Sequence, residues 1–173
     1  MVPLPRSDAG QRPVSLVVRH QEAYMIDVYC FSSRNQTNLW AGYGARMWAV
    51  SDCDKQQMEA RKTKTLSFPI GGFGLLYCSA GEFFTMPFKI ASEPAWRMED
   101  KIWPEPWALP FKIEPLGSPA VRMTKDHAKR VLDCLKSARN LTDVFFIGGT
   151  CNFTPSHVPD DDWAIILEEL KGQ

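Results

Sequence analysis

The sequence predicts a mixed α+β domain: about six short, bent strands in a strongly curled sheet or small open barrel, flanked by two or three helices. Three observations predict it. The apolar runs are short and punctuated by 13 prolines and 11 glycines, the pattern of many brief strands. Residues 71–114 read as strand, tight turn, strand, aromatic-rich excursion and strand, with Trp96, Trp103 and Trp107 falling within twelve residues. Two stretches nearer the C-terminus carry apolar residues at helical spacing, so helices share the core with the sheet.

Taken in order, residues 1–13 hold three prolines and no periodicity and read as a flexible arm; residues 14–173 read as a single domain. A short β-branched run at 14–18 precedes a stronger strand at 23–31 (AYMIDVYCF). The polar stretch 32–38 reads as a turn and Gly42-Tyr43-Gly44 as a bend, leading into a strand at 46–50 (RMWAV). Asp52 or Asp54 can cap a polar helix over 55–62. Strands at 73–79 and 83–90 are joined through Ala80-Gly81, and Pro87 demands an edge or a bulge in the second. A third core strand covers 107–114, also with a proline. Thr124 caps a helix over 124–138, where Ala128, Val131, Leu132 and Leu135 form one stripe. Residues 143–147 (DVFFI) read as a short strand. The final helix, 161–171, carries Trp163, Ile166, Leu167 and Leu170 on one face, with aspartates at its positive end.

Lys plus Arg and Asp plus Glu both number 20, which excludes a uniformly basic nucleic-acid coat but not a local basic patch. Residues 121–139 are such a stretch, with six Lys/Arg against two Asp. Five cysteines at irregular spacing and no C-x-x-C argue against a disulfide framework or zinc ribbon and for reduced thiols in a cytoplasmic protein. No apolar run approaches the roughly 20 residues of a membrane span, so no membrane partner is expected.

Within this frame the residues resemble EVE domains. The run GFGLLYCSAGEFFTMPFKIASEPAW is similar to their central block, KIEPLGSPAVRM to the strand they end in an E-P-L turn, and CNFTPSHVPDDDWAIILEEL to their C-terminal strand and acid-acid-Trp helix. The likeness covers residues 71–173 and rests on order and spacing. Two placements of the N-terminal part exclude one another. RMWAVSD resembles the opening strand of such a barrel, or LWAGYGAR resembles a contracted W-x-G-V…A-R segment. EVE domains belong with the PUA, ASCH and YTH folds, pseudo-barrels that bind nucleic acids or their modified bases. The resemblance therefore implies a PUA-like pseudo-barrel, no cofactor and no metal. It also implies a nucleic-acid partner, DNA with a methylated or hydroxymethylated base, and a nuclease or NTPase effector supplied as another subunit or domain.

Reading a modified base calls for flipping it into a pocket and stacking it on aromatic rings, which returns about 1–3 kcal/mol per base. The candidate pocket residues are Trp96 and Trp103 in the excursion, Tyr77 and Ser79 at the end of the first core strand, and Trp48 or Trp40 as a further wall. Each ring has a packing alternative; Trp107 at a strand start and Trp163 on a helix stripe are read as packing. Arg46, Arg61, Lys62, Lys64, Lys125, Lys129 and Arg130 are candidates for phosphate contacts, against the alternative of a solvated face. Two other functions stay open: an RNA-binding PUA/YTH-like module, and a small enzyme with an unrecognised site such as a reactive Cys78. The histidines lack metal-ligand spacing, Gly71, Gly72 and Gly74 enter a strand instead of opening a helix, and no catalytic motif is present.

Overall fold

The computed structural model describes residues 22–172; the arm at 1–13 and the run at 14–18 lie outside them. The elements follow in the order β1 (Met25–Ser33), α1 (Gln36–Ala45), β2 (Met47–Ser51), α2 (Lys55–Thr65), β3 (Phe73–Cys78), β4 (Phe83–Ile90), β5 (Met98–Glu99), β6 (Trp107–Pro115), β7 (Arg122–Thr124), α3 (Lys125–Val131), α4 (Asp133–Lys136), β8 (Pro155–Pro159) and α5 (Asp160–Leu170). Two of the eight described strands, β5 and β7, are only two and three residues long; the six substantial ones are those expected at 23–31, 46–50, 73–79, 83–90 and 107–114 together with β8, which only the likeness to the EVE C-terminal strand had indicated. The sheet runs β2-β6-β4-β3-β1-β8, with β5 attached to β6 and β7 to β4. Among the described residues only β1 and β3 pair in parallel, the other ladders being antiparallel. Among the described residues no ladder joins β2 to β8, so the sheet curls into a pseudo-barrel without closing.

Two bulges make the curl, and both sit at the prolines. In β4 the register steps from Gly74↔Phe88 to Leu76↔Thr85, so one extra residue is accommodated beside Pro87, with Met86 at φ 47°. In β6 it steps from Trp48↔Phe111 to Val50↔Ala108, beside Pro110, with Leu109 at φ 56°. A bulge increases local twist and inverts the in-out alternation downstream. Phe83 before the first bulge and Met86, Phe88 and Ile90 after it therefore all face the same core. Gly74 lies against the Phe88 ring, where a Cβ would stand 2.1 Å away.

Strand alternation divides the apolar residues between two cores. Tyr29 and Phe31 of β1 and Leu76 and Cys78 of β3 point into the curl, with Phe68, Phe111 and Phe153. Val28, Cys30, Leu75 and Tyr77 point outward and are covered by Leu132, Leu135, Trp163 and Ile166 of the helices.

Three local expectations are corrected. The turn expected at 32–38 shrinks to Arg34-Asn35 between β1 and α1, and α1 takes up residues 36–38 and the bend at 42–44: the Asn35 side chain accepts the Asn38 N–H at 3.0 Å, and Arg46 closes the helix in the left-handed conformation (φ 51°). Residues 46–50 are accordingly the second strand and not the opening one, and LWAGYGAR is helical to Ala45. The helix expected over 124–138 is broken at Leu132 (φ −93°, ψ 118°), where the Asp162 carboxylate accepts the N–H groups of Asp133 and Cys134 at 2.9 and 2.8 Å. The strand expected at 143–147 is a 3-10 turn over Leu141–Asp143 followed by loop. Phe145 donates its N–H to the Leu141 carbonyl, and its ring packs on Phe84 at 4.9 Å.

Candidate functional site

A cavity of about 500 Å³ opens where the C-terminal ends of β1 and β2 meet the chain entering β6. Its aromatic wall is Phe31, Trp48 and Trp107. Strand register assembles this wall. β2 is an edge strand paired only with β6, and the ladder runs from Trp48↔Phe111 to Ser51↔Trp107. The Trp48 ring meets Trp107 edge-on, with centroids 5.4 Å apart at 77°. Trp48 is 1% exposed and seated firmly; α1 reaches it because Gly42 has no side chain, a Cβ there coming within 2.7 Å of the indole.

The polar side of the cavity comes from the β1–α1 junction and the segment before β8. Ser33, Arg34, Asn35 and Asn38 line it from one side, Gly149 and Asn152 from the other. Ser33 and Asn35 are already engaged, the hydroxyl with the Asn35 carbonyl at 2.8 Å and the amide oxygen with the Asn38 N–H. Asn152 is only 6% exposed, yet among the described residues its side chain makes no hydrogen bond. The amide atoms themselves are not sealed, Trp163 Nε1 being the side-chain N or O that is buried without a partner among the described residues, so a ligand in the cavity can reach them in place of water. The amide offers both a donor and an acceptor, as the edge of a base requires.

The structure redistributes the residues singled out from the sequence. Trp48 lines the cavity as expected. Trp103 does not: it is buried, stacked on Trp107 at 4.6 Å and 11°, and its Nε1 donates to the Asn38 carbonyl at 3.1 Å. It props the wall and pins α1. Trp96 lies elsewhere, 60% exposed, its Nε1 donating to Thr65 Oγ1 at 3.2 Å with the Lys62 ammonium 5.5 Å from its ring. The expected cage of Trp96 and Trp103 is therefore not formed. Trp40 is half-exposed on α1 against Tyr43, away from the cavity lining. Tyr77 points to the opposite face of the sheet, into the helix-covered core. Ser79 sits at the β3–β4 turn, where its N–H and hydroxyl donate to the Ser33 carbonyl at 2.9 and 3.3 Å, holding the end of β1. Trp107, read as packing, belongs to the wall; its pairing across a bulged ladder left no local trace in the sequence.

The cations divide similarly. Arg61 is buried and bridges two rims of the cavity, donating to the Ser51 carbonyl at 2.6 Å and the Gly149 carbonyl at 3.1 Å. Lys64 donates to the Thr150 carbonyl at 3.1 Å, and Lys62 pairs with Glu59 at 3.2 Å. These three brace the structure instead of presenting free charge. Lys125 pairs with Glu82 at 3.0 Å, and Arg130 approaches His127 at 3.4 Å. Arg46 and Lys129 form no side-chain pair among the described residues, nor does Arg34, which the sequence reading missed and which lines the cavity mouth.

Thiol chemistry finds no activated group. All five cysteines are free. Burial pushes the Cys30 thiol up to about 12, and burial together with the Asp162 carboxylate raises Cys134. Cys78 is wholly buried, and the two described histidines sit elsewhere, His127 against Glu169 and His157 against Asp27. Among the described residues no three His, Cys, Asp or Glu side chains gather to hold a metal ion, and no helix is long and apolar enough to cross a membrane.

No protein-family model matches the chain, and no curated protein matches it. Its fold is similar to that of solved YTH domains. The Pho92 YTH domain in complex with m6A has a TM-score of 0.56 at 12% identity, over 86% of this chain and 87% of that one. The YTH domain of Zygosaccharomyces rouxii MRB1 in complex with N6-methyladenosine RNA has 0.54 at 13% identity, over 86% of each chain. The Toxoplasma CPSF4 YTH domain in complex with a 7-mer m6A-modified RNA has 0.53 at 13% identity, over 86% and 92%. Identities this low establish a shared fold. Of the pseudo-barrel folds to which the sequence pointed, the YTH fold is the one these structures share with the chain.

Proposed function

We propose that this protein is a non-catalytic reader that takes a methylated base of single-stranded RNA into the Trp48–Trp107 cavity. The carrying observation is the combination of an aromatic wall with an Asn152 amide that has no protein partner and opens into one cavity of about 500 Å³, within the roughly 300–1,000 Å³ of small-ligand sites. Aromatic rings stack on a base without regard to its identity; the half-buried Trp107 offers the open ring and the buried Trp48 backs it, so the wall supplies affinity and the amide edge supplies discrimination. A methyl group adds apolar surface worth about 0.8 kcal/mol per buried carbon. A pocket walled by tryptophan rings gains it, whereas water does not.

RNA is favoured over the DNA target implied by the EVE resemblance, because three structures that share this fold over most of both chains were solved with N6-methyladenosine RNA or m6A. Single-stranded RNA also exposes its bases without the cost of unpairing a duplex. The test is a binding series on the full chain with one short sequence in four forms: RNA and DNA strands, each with and without N6-methyladenosine. The expected order puts methylated RNA first, with at least a several-fold preference over its unmethylated twin. Equal affinity for methylated and unmethylated strands would overturn the reader assignment; tighter binding of the methylated DNA strand would return the target to DNA.

A further inference from the structure

A second cleft, of about 270 Å³, lies on the other face of the sheet between Tyr77, Lys125 and Lys129 on one side and Asn140, Leu141 and Thr142 on the other. Tyr77 is 6% exposed, and its hydroxyl makes no hydrogen bond among the described residues. Lys125 is held by Glu82 at 3.0 Å, which largely cancels its charge. Lys129, one helical turn further along α3, has no ion-pair partner among the described residues. The cleft thus presents a free ammonium and a phenol O–H that can donate, beside the Asn140 amide and the Thr142 hydroxyl. Burial raises the Tyr77 pKa, with Lys125 opposing and Glu82 adding to the rise, so the phenol stays protonated and donating at neutral pH.

The two openings are neighbours. Ser32 lines the first cavity and Tyr77 the second, and they are partners in the parallel β1–β3 ladder, where adjacent strands lie about 4.8 Å apart. Gly149 lines the first and Ile147 the second. A chain leaving the first cavity has only the end of β1 to cross before reaching the second.

We propose that the Tyr77–Lys129 cleft is a phosphate subsite, holding a phosphodiester of the same RNA strand whose methylated base occupies the Trp48–Trp107 cavity. Phosphate oxygens only accept hydrogen bonds, and the Lys129 ammonium, the Tyr77 phenol and the side chains of Asn140 and Thr142 can all donate to them. The proposal rests on the reader assignment above, and its test separates the two.

The full chain is titrated with N6-methyladenosine nucleoside, with inorganic phosphate, and with short methylated and unmethylated RNA strands at several salt concentrations. Wild type is compared with Lys129→Gln and Tyr77→Phe, after thermal melting confirms that both variants fold. The expected result is unchanged nucleoside affinity and a roughly tenfold loss of RNA affinity for Lys129→Gln. The slope of log K on log salt becomes shallower by about 0.7, the value of one phosphate contact on a single strand. Tyr77→Phe weakens RNA binding by less and leaves the slope unchanged. Wild-type RNA affinity and slope in both variants overturn the subsite while leaving the reader assignment standing. Equal binding of methylated and unmethylated RNA, with Lys129→Gln still weakening both, overturns the reader assignment and keeps the subsite. Phosphate binding that Lys129→Gln abolishes with no change in RNA affinity marks a free-anion site and overturns the RNA assignment of the cleft.

Discussion

Two pairs of tryptophans contrast in this molecule. Trp96 and Trp103 lie close in sequence within the long excursion between β4 and β6, yet one is exposed against α2 and the other is buried under Trp107. Trp48 and Trp107 lie 59 positions apart in number, yet the β2–β6 ladder brings their rings to 5.4 Å at the wall of one cavity. The excursion has freedom to put a ring almost anywhere. The ladder has none, because strand register and the side-chain period of two decide which face each residue takes. A recognition wall that must hold a flat ligand is better built on the ladder.

Truncation of each ring breaks or sharpens this contrast. Trp48→Ala removes a fully buried indole and is expected to cost about 3–5 kcal/mol of stability, together with loss of methylated-RNA binding. Trp107→Ala, at a half-buried position, is expected to fold with a smaller loss and still weaken binding by about 1–3 kcal/mol, the worth of one stacked base. Trp96→Ala is expected to leave binding unchanged. Chemical denaturation and RNA titration of the three variants read this directly. A binding loss for Trp96→Ala equal to that of Trp107→Ala would show that the excursion, not the ladder, forms the site.

The division between ladder and excursion also explains what could be read from the sequence. The strands at 73–79, 83–90 and 107–114 were legible because β-branched and aromatic runs bounded by glycine and proline have few other uses, and Pro87 announced its bulge. Helix α5 was legible from the stripe of Trp163, Ile166 and Leu170. Helix α1 was not, since it is short, holds two glycines and begins in polar residues; it is held by a side-chain cap at Asn35 and by contact of Gly42 with Trp48. The break at Leu132 depends on Asp162, 30 residues away, and no local pattern carries it. Within the site, Trp48 was found, but Trp107 and Asn152 were not. Their role comes from register and from a missing hydrogen bond, neither of which is a property of composition.

The rim of the cavity offers a second way to separate wall from support. Among the described residues Arg61 pairs with no carboxylate; its guanidinium is spent on the carbonyls of Ser51 and Gly149, both of which line the cavity. Arg61→Ala leaves both carbonyls without their charged donor, and hydrogen bonds to charged groups are worth about 1.5–3 kcal/mol. The expected result is a loss of that order in stability together with weaker base binding. Arg61→Lys recovers only part of it, because an ammonium does not reproduce the forked geometry that reaches two carbonyls at once. Full recovery by lysine would show that charge, not bridging, is what the position supplies.

Gly42→Ala tests the seat of Trp48 without touching the ring itself. A methyl there meets both the indole at 2.7 Å and the Met47 carbonyl oxygen at 2.9 Å, so backbone must give way as well as side chain. Overpacking of this kind costs about 1–3 kcal/mol. The tryptophan emission of the folded protein is expected to shift with the displaced ring, and RNA binding to weaken. Gly44→Ala, two positions on in the same helix, meets nothing within 4 Å and is the matched control; it should be neutral or mildly stabilising through helix propensity.

The smallest expected effect belongs to the excursion. Glu99 accepts the Lys101 N–H at 3.0 Å and Arg97 Nη1 at 3.0 Å, and these bonds hold its carboxyl below its ordinary value. A depressed folded-state pKa means that the unfolded chain takes up the proton first as pH falls. The contribution to stability is therefore complete above the unfolded value of about 4.3 and is lost as pH drops through the lower folded value. Denaturation midpoints at pH 5 and pH 3.5 are expected to differ more for wild type than for Glu99→Gln, which has no proton to gain. Because the carboxylate orders the excursion and not the ladder, methylated-RNA affinity at pH 7 is expected to be the same in both. A parallel loss of affinity in Glu99→Gln would mean that the excursion's fold governs the wall, through Trp103 stacked on Trp107.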